Sequence, residues 1–438
     1  MRRHAVFSIE NIPLWKTRLL HWAAAQERGV YLDSNGHEES PFAAGGWECL
    51  AAGGVLQLLE CNSGHAFERL KAWQTATHDW LFGYLSYDLK NETERLESQH
   101  PDGIGLPDMG FFQPEIVAGI RGGYLEVYFI KQDIIDIFDY FKTFDNYVQK
   151  DNLSKIKIDF YLKNKIEKEK YKKTVLSIKN HISAGDLYEM NLCQEFYAEK
   201  IDLDPIRVFA NLNKIGMAPS SAFMRWENRY LMSASPERFL QKHGNRLVSQ
   251  PIKGTRRRGA TAAEDAGIRA ELAANEKDRA ENIMIVDLVR NDLARNCLPG
   301  SVRVDELFGI HTFETVHQMI STVSGILRPG IHPVDALRDA FPMGSMTGAP
   351  KVMAMQLIEQ YERSHRGLYS GAVGYFDPEG NFDFNVVIRS ILYNTSTGYV
   401  STQVGGAIVY DSEPEAEYEE CLIKLNAMLR AMGARIRD

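Results

Sequence analysis

The stretch YSGAVGYFDPEGNFDFNVVIRSIL, Tyr369 to Leu392, decides the fold. Asp377-Pro378-Glu379-Gly380 puts proline and glycine where a type I turn favours them, so Tyr369 to Phe376 and Asn381 to Leu392 are predicted to pair as a hairpin. In the returning strand a period of two sets Asp383, Asn385, Val387 and Arg389 on a polar face and Phe382, Phe384, Val386 and Ile388 on a core face. A third strand, Tyr399 to Val409, follows the turn residues Asn394 to Gly398. It carries Gly405-Gly406, where backbone amides can approach a ligand closely.

Working outward, a second strand-rich stretch covers Tyr230 to Thr255, and long helical patterns lie between the two, which gives a mixed α+β class. Earlier in the chain Val55 to Leu59, Trp80 to Tyr87 and Tyr124 to Ile130 read as strands between polar or glycine-containing turns. The lysine-rich run from Lys155 to Lys173 reads as a solvated connector that becomes a helix over Tyr171 to Ile182. It sets a boundary near residue 160, dividing an N-terminal region (1–160) from a catalytic domain (161–438).

The 438 residues are 44% hydrophobic and 25% charged, enough to build one large interleaved domain or two ordinary ones. No segment has the roughly 20 apolar residues a membrane helix needs, and the opening MRRHAVFS lacks an apolar signal region, so the expected location is the cytoplasm, with no membrane partner. A net charge of -8 opposes nucleic acid as a partner. The five cysteines are scattered without CxxC spacing and indicate neither disulfides nor a zinc site.

Several constellations can carry chemistry. A helix predicted over Glu276 to Asn296 sets Asp278 and Glu281 one turn apart, and another over Glu413 to Met432 aligns Glu417, Glu420 and Lys424 beside the apolar stripe Tyr418, Cys421, Leu425 and Met428. Carboxylates without histidine or cysteine suit Mg²⁺; the spacing alone equally describes two solvated helix faces. Lys253 follows a strand predicted over Arg246 to Ile252 and precedes Arg256, Arg257 and Arg258. Those cations could lower its pKa and make it nucleophilic, or the whole run is an exposed basic loop. Glu237, in Ser235-Pro236-Glu237-Arg238-Phe239, lies in a short turn between apolar segments, a setting that raises a carboxyl pKa and suits a general acid; the alternative is a surface ion pair with Arg238. Thr347-Gly348-Ala349-Pro350 leads into a helix, whose free amides could hold a carboxylate or merely form a cap. His317 reads first as a satisfied structural histidine.

Taken in order, the blocks SPERF (235–239), PIKGTRRRG (251–259), DRAENIMIVDLVRNDLARNC (278–297), VHQMISTVSG (316–325), TGAPKVMAMQLI (347–358), GAVGYF (371–376), VVIRS (386–390) and QVGGAIV (403–409) resemble the chorismate-utilising family of anthranilate, aminodeoxychorismate, isochorismate and salicylate synthases. The resemblance runs from about Ile182 to Met432 and implies a two-sheet sandwich flanked by helices. It implies Mg²⁺ held by Glu281 and Glu420 with Glu417 and Asp278 nearby, and Arg389, Tyr369 and the amides of Gly405, Gly406 and Ala407 on the enolpyruvyl carboxylate of chorismate. Gly254, Thr255, His317, Thr347 and Lys424 are expected to line the site, and Glu237 to protonate the departing hydroxyl.

Lys253, where anthranilate synthases usually have alanine, points to the aminodeoxychorismate synthase branch, which serves 4-aminobenzoate and folate synthesis. There Lys253 would attack ring C2 and ammonia would enter at C4. Glu189 stands where the hydrating branches have a lysine, which disfavours hydration. No amidotransferase module is recognisable, so the resemblance implies ammonia from a separate glutamine amidotransferase subunit. Ser34, Pro219, Ser220 and Ser221 fall in the nearest matches to the segments that form a tryptophan pocket in the family, but Glu38 to Gly54 departs from the usual pattern and has no arginine, so a structural role for them is an equal alternative. The rival expectations are anthranilate synthase component I and a catalytically silent subunit that binds an amidotransferase.

Overall fold

The hairpin forms as its turn chemistry dictates. Strands Ala372–Phe376 and Phe382–Val386 pair in register, and the Gly380 amide donates to the Asp377 carbonyl at 3.0 Å. The returning strand is shorter than its alternation predicts. It stops at Val386, and a new strand, Ser390–Asn394, starts after Arg389, whose φ of 48° is left-handed. The first piece pairs with Arg238–His243 and the second with Arg229–Ser235. The break therefore passes the chain from one layer to the other, and Arg389 does not share a strand face with Asp383 and Asn385.

The computed structural model describes residues 2–37, 46–130, 136–145 and 160–437. The start of the lysine-rich connector, 155–159, lies outside them, and its predicted helix is Lys168–Ala184. Two long strands, Cys49–Cys61 and Met109–Arg121, pair along their length and join the layers. On one side Cys49 to Gly53 pairs with Arg28–Asp33, which continues through Ser220–Trp226 to Arg229–Ser235. On the other, Met109 to Phe112 pairs with Leu81–Leu85, which continues into the hairpin through Ala372–Phe376. Strands from before and after residue 160 thus lie side by side in the same sheet.

The two arms face each other across one apolar cluster that includes Val30, Phe82, Tyr84, Phe112, Met224, Trp226 and Val373. Burying Phe82, Phe112 and Met224 contributes roughly 1.5–3 kcal/mol each. Helices cover both outer faces: Ile12–Ala25, Lys168–Ala184, Pro205–Gly216 and Pro414–Met432 on one, Ala66–Thr77, Glu276–Ala294 and Pro333–Ala340 on the other. This is the α+β sandwich with flanking helices. All five cysteines are free and buried, and no helix among the described residues is long and apolar enough to cross a membrane.

Candidate active site

Lys253 owes its position to a β-bulge. Strand Ile252–Arg257 pairs with Val316–Ile326, but Ile252 faces Ile320 while Thr255 faces Gln318, so three steps on one strand oppose two on the other. Gly254 takes up the slack at φ 86°, a conformation a side chain would strain. The Lys253 side chain is 11% exposed, and its Nζ lies 3.0 Å from Oε1 of the fully buried Glu189.

The arginines that follow turn the other way. Arg256 pairs with Glu271 and Asp278, Arg257 with Glu264, and Arg258 with Asp265. They are neutralised on the helix side, so the expectation that they depress the Lys253 pKa is corrected. Burial does pull that pKa down, but Glu189, Glu281 and Glu237 outweigh it and hold the ammonium above its ordinary value. Asp278, expected near a metal, is taken up by Arg256.

Glu189 opens strand Glu189–Ala198 and is held by the segment expected to be a helix cap. Gly348 and Ala349 pair with Met190 and Glu189, and the Asn191 and Tyr188 amides donate to the carbonyls of Thr347 and Ala349. Those residues extend the sheet instead of leaving a free helix terminus, and Pro350 becomes the cap of helix Lys351–Tyr361. Thr347 is fully buried, with its hydroxyl donating to Met343 and Gly344 carbonyls.

Glu237 and Arg389 sit at two adjacent crossings between the layers, linked by backbone bonds from Val386 to the Glu237 carbonyl (3.0 Å) and from Ala234 to the Arg389 carbonyl (3.2 Å). Glu237 is buried, and desolvation pushes its carboxyl up to about 7 against the pull of Ser345, Lys253 and Arg389. Arg238 is not its partner; that guanidinium bonds both oxygens of Asp383 at 3.0 and 3.1 Å. Desolvation lowers the Arg389 pKa, and its guanidinium has no hydrogen-bond or ion-pair partner among the described residues. A half-buried guanidinium of this kind fits an incoming carboxylate, which it can bind through two parallel hydrogen bonds.

Helix Pro414–Met432 aims Glu417 and Glu420 at Gly406, where a Cβ would stand 3.3 Å from Glu417 Oε2 and 3.4 Å from Glu420 Oε1. Glu420 also bonds Lys424 at 2.7 Å, and Lys424 donates to the Gly405 carbonyl at 2.7 Å. Gly405, Gly406 and Ala407 pair with Cys193, Leu192 and Asn191; beyond Ser401 the other edge of their strand has no strand partner among the described residues. Glu281 reaches toward Lys253 from helix Glu276–Ala294, its carboxyl pushed up to about 7 by burial and by the charges of Glu189 and Asp278. Among the described residues no three ligating side chains converge on one point. The carboxylates that could supply oxygens are the pair at Gly406 and Glu281. Hard oxygens in this number fit Mg²⁺, which keeps several waters and is held by one or two carboxylates.

His317 is buried and bonds Asp265 at 2.8 Å and Thr312 at 2.9 Å, on the side of the arginines. Tyr369 is buried with its hydroxyl 3.5 Å from Cys193 Sγ, and Thr255 is exposed. Ser34, Pro219, Ser220 and Ser221 line a separate open pocket, walled by Trp47 and by the Arg238–Asp383 pair. Residues 38–45 of the stretch that departs from the family's tryptophan pattern lie outside the described residues.

Sequence reasoning overlooked Glu189 as a site residue, although period two along Glu189, Asn191 and Glu195 marks a polar buried face. It also overlooked Arg366. That guanidinium is buried against Glu362 and braces the site from behind, donating to the carbonyls of Met346 and Asn191. No helical spacing marks it, because Glu362 and Arg366 lie beyond the end of helix Lys351–Tyr361.

The fold places this constellation of base, acid and guanidinium in a family of enzymes: the chain belongs to the family described as chorismate binding enzyme, which matches residues 27–430. It is 46% identical over 268 residues to the aminodeoxychorismate synthase of Streptomyces griseus, covering 61% of this chain and 36% of that protein. It is 34% identical over 355 residues to anthranilate synthase component 1 of Saccharolobus solfataricus, 81% of each chain. The crystal structure of anthranilate synthase component I from Streptococcus pneumoniae superposes with a TM-score of 0.73 at 25% identity, covering 86% of this chain and 91% of that one. The matched region spans about a third of the length of the first curated relatives, 29–36%.

Proposed function

We propose that the protein is aminodeoxychorismate synthase component I, converting chorismate and ammonia to 4-amino-4-deoxychorismate. The observation that carries this reading is Lys253, buried against Glu189 and within electrostatic reach of Glu237, which Arg389 also faces. Arg389 binds a substrate carboxylate. Lys253 forms a bond to ring C2 as both ring double bonds move one position, to C1=C6 and C4=C5, and the C4–O bond breaks, while Glu237 gives its proton to the departing hydroxyl. Ammonia then adds at C4 and the C2–Lys253 bond breaks. Glu281, Glu420 and Glu417 would hold Mg²⁺, which supplies positive charge for an anionic substrate. Ammonia is delivered by a separate glutamine amidotransferase subunit, in keeping with relatives named as components. The pocket at Ser34 and Ser221 is assigned to tryptophan.

The test is incubation with chorismate, Mg²⁺ and ammonium at mildly alkaline pH, followed by the pyruvate-eliminating lyase. The expected final product is 4-aminobenzoate. Anthranilate as the main product would overturn the assignment in favour of the full-length relative's activity, and absence of chorismate turnover with demonstrated amidotransferase binding would point to a silent subunit.

A further inference from the structure

We infer that Glu189 is the base that takes the proton from Lys253 and returns it when the lysine is expelled. This rests on the lysine-adduct reading above. Three observations carry it. Glu189 Oε1 is 3.0 Å from Lys253 Nζ, and among the described residues it is the carboxylate paired with that lysine. Glu189 is fully buried, and its second oxygen, Oε2, has no hydrogen-bond partner. The arginines that could have served Lys253 as cationic neighbours are all bonded elsewhere.

An amine held as an ammonium cannot attack, and in a dry site the proton needs an acceptor within reach. The other charges that face Lys253 are Glu281 from helix Glu276–Ala294, Glu420 from helix Pro414–Met432 and Glu237 from the interlayer turn. Glu237 must keep its own proton for the leaving hydroxyl, and Glu281 and Glu420 form no ion pair with Lys253. Transfer within the pair turns two opposite charges into two neutral groups, which a low-dielectric pocket favours.

The balance is complete. Glu189 takes one proton from the ammonium, the neutral Nζ bonds to C2, the C4–O bond breaks, and Glu237 supplies the proton that makes the hydroxyl leave as water. The adduct nitrogen then carries two protons and one positive charge. When ammonia bonds to C4 it becomes an ammonium, Lys253 departs as a neutral amine and recovers its proton from Glu189, and one proton of the C4 ammonium returns to Glu237.

The experiment is rapid-quench intact-protein mass of the full chain with chorismate and Mg²⁺, without ammonia, between pH 5.5 and 7. The parent is expected to form the Lys253 adduct at a rate flat with pH, because the proton never leaves the pair. In Glu189→Gln it must go to solvent, so the rate should climb about tenfold per pH unit and lie about a hundredfold below the parent near pH 6. Glu189→Asp should restore the flat profile, and chorismate affinity should change little in either variant. A flat profile at the parent's rate in Glu189→Gln, or a loss independent of pH, overturns the role of Glu189 alone. No adduct in the parent overturns the lysine-adduct reading, and this inference with it.

Discussion

Lys253 and the run Arg256 to Arg258 are separated by two residues and follow one another along a strand that ends at Arg257, yet they inhabit different environments. Lys253 is buried against a carboxylate with an unbonded second oxygen. Arg257, whose side chain is 72% exposed, pairs with Glu264 at the surface, and Arg256 and Arg258 are bonded to helix carboxylates. The β-bulge between Ile252 and Thr255 separates the two settings: Lys253 lies within the irregular stretch, and Arg256 follows it where regular pairing with His317 has resumed. Composition therefore says little about the function of a basic segment; register says a great deal.

The largest effect should come from breaking the inward side. Lys253→Ala should abolish the covalent adduct and lower amination at least about a thousandfold while chorismate still binds. Amination within tenfold of the parent, measured by product formation, would remove Lys253 from the chemistry.

A smaller effect sharpens the claim that the inward side is dry. The folded Glu237 carboxyl is raised from 4.5 to about 7, so the unfolded chain ionises first and stability is lost as pH rises through that window. Glu237→Gln removes this cost and should be more stable than the parent by about 3 kcal/mol at pH 8, with the gap gone below about pH 4.5. Urea titrations at the two pH values measure it, and an equal gap at both would mean that Glu237 is well solvated. The same variant should lose adduct formation, which sets stability against activity.

The smallest effect belongs to the outward side. Arg257→Ala breaks an exposed ion pair and should change stability by no more than about 0.5 kcal/mol, with amination unchanged. A large activity loss would show that the arginine run reaches the substrate and that the two sides are not separate.

Much of the fold was legible. The turn at Asp377 to Gly380, the hairpin and the two acidic helices follow from local rules, and the structure reproduces them within a few residues. The setting of Glu237 was half legible: the turn between apolar segments allowed a raised pKa, but the same residues also read as a surface ion pair with Arg238, and the tertiary structure decides for burial. What local patterning missed were places where distant segments compete for the backbone. The return strand breaks at Arg389 because its two halves pair with different strands, and Thr347 to Ala349 join a strand more than 150 residues earlier in the chain.

The sequence by itself determined the class of enzyme, because eight ordered blocks name their residues whatever the folding details, and it singled out Lys253 as the choice between branches. Only the tertiary structure decided what Lys253 faces. Its partner, Glu189, lies 64 positions away and meets it through a bulge and a strand pairing that no local periodicity encodes. The protonation of that lysine depends on burial and on charges from four separate elements, and these exist only once the chain has closed around them.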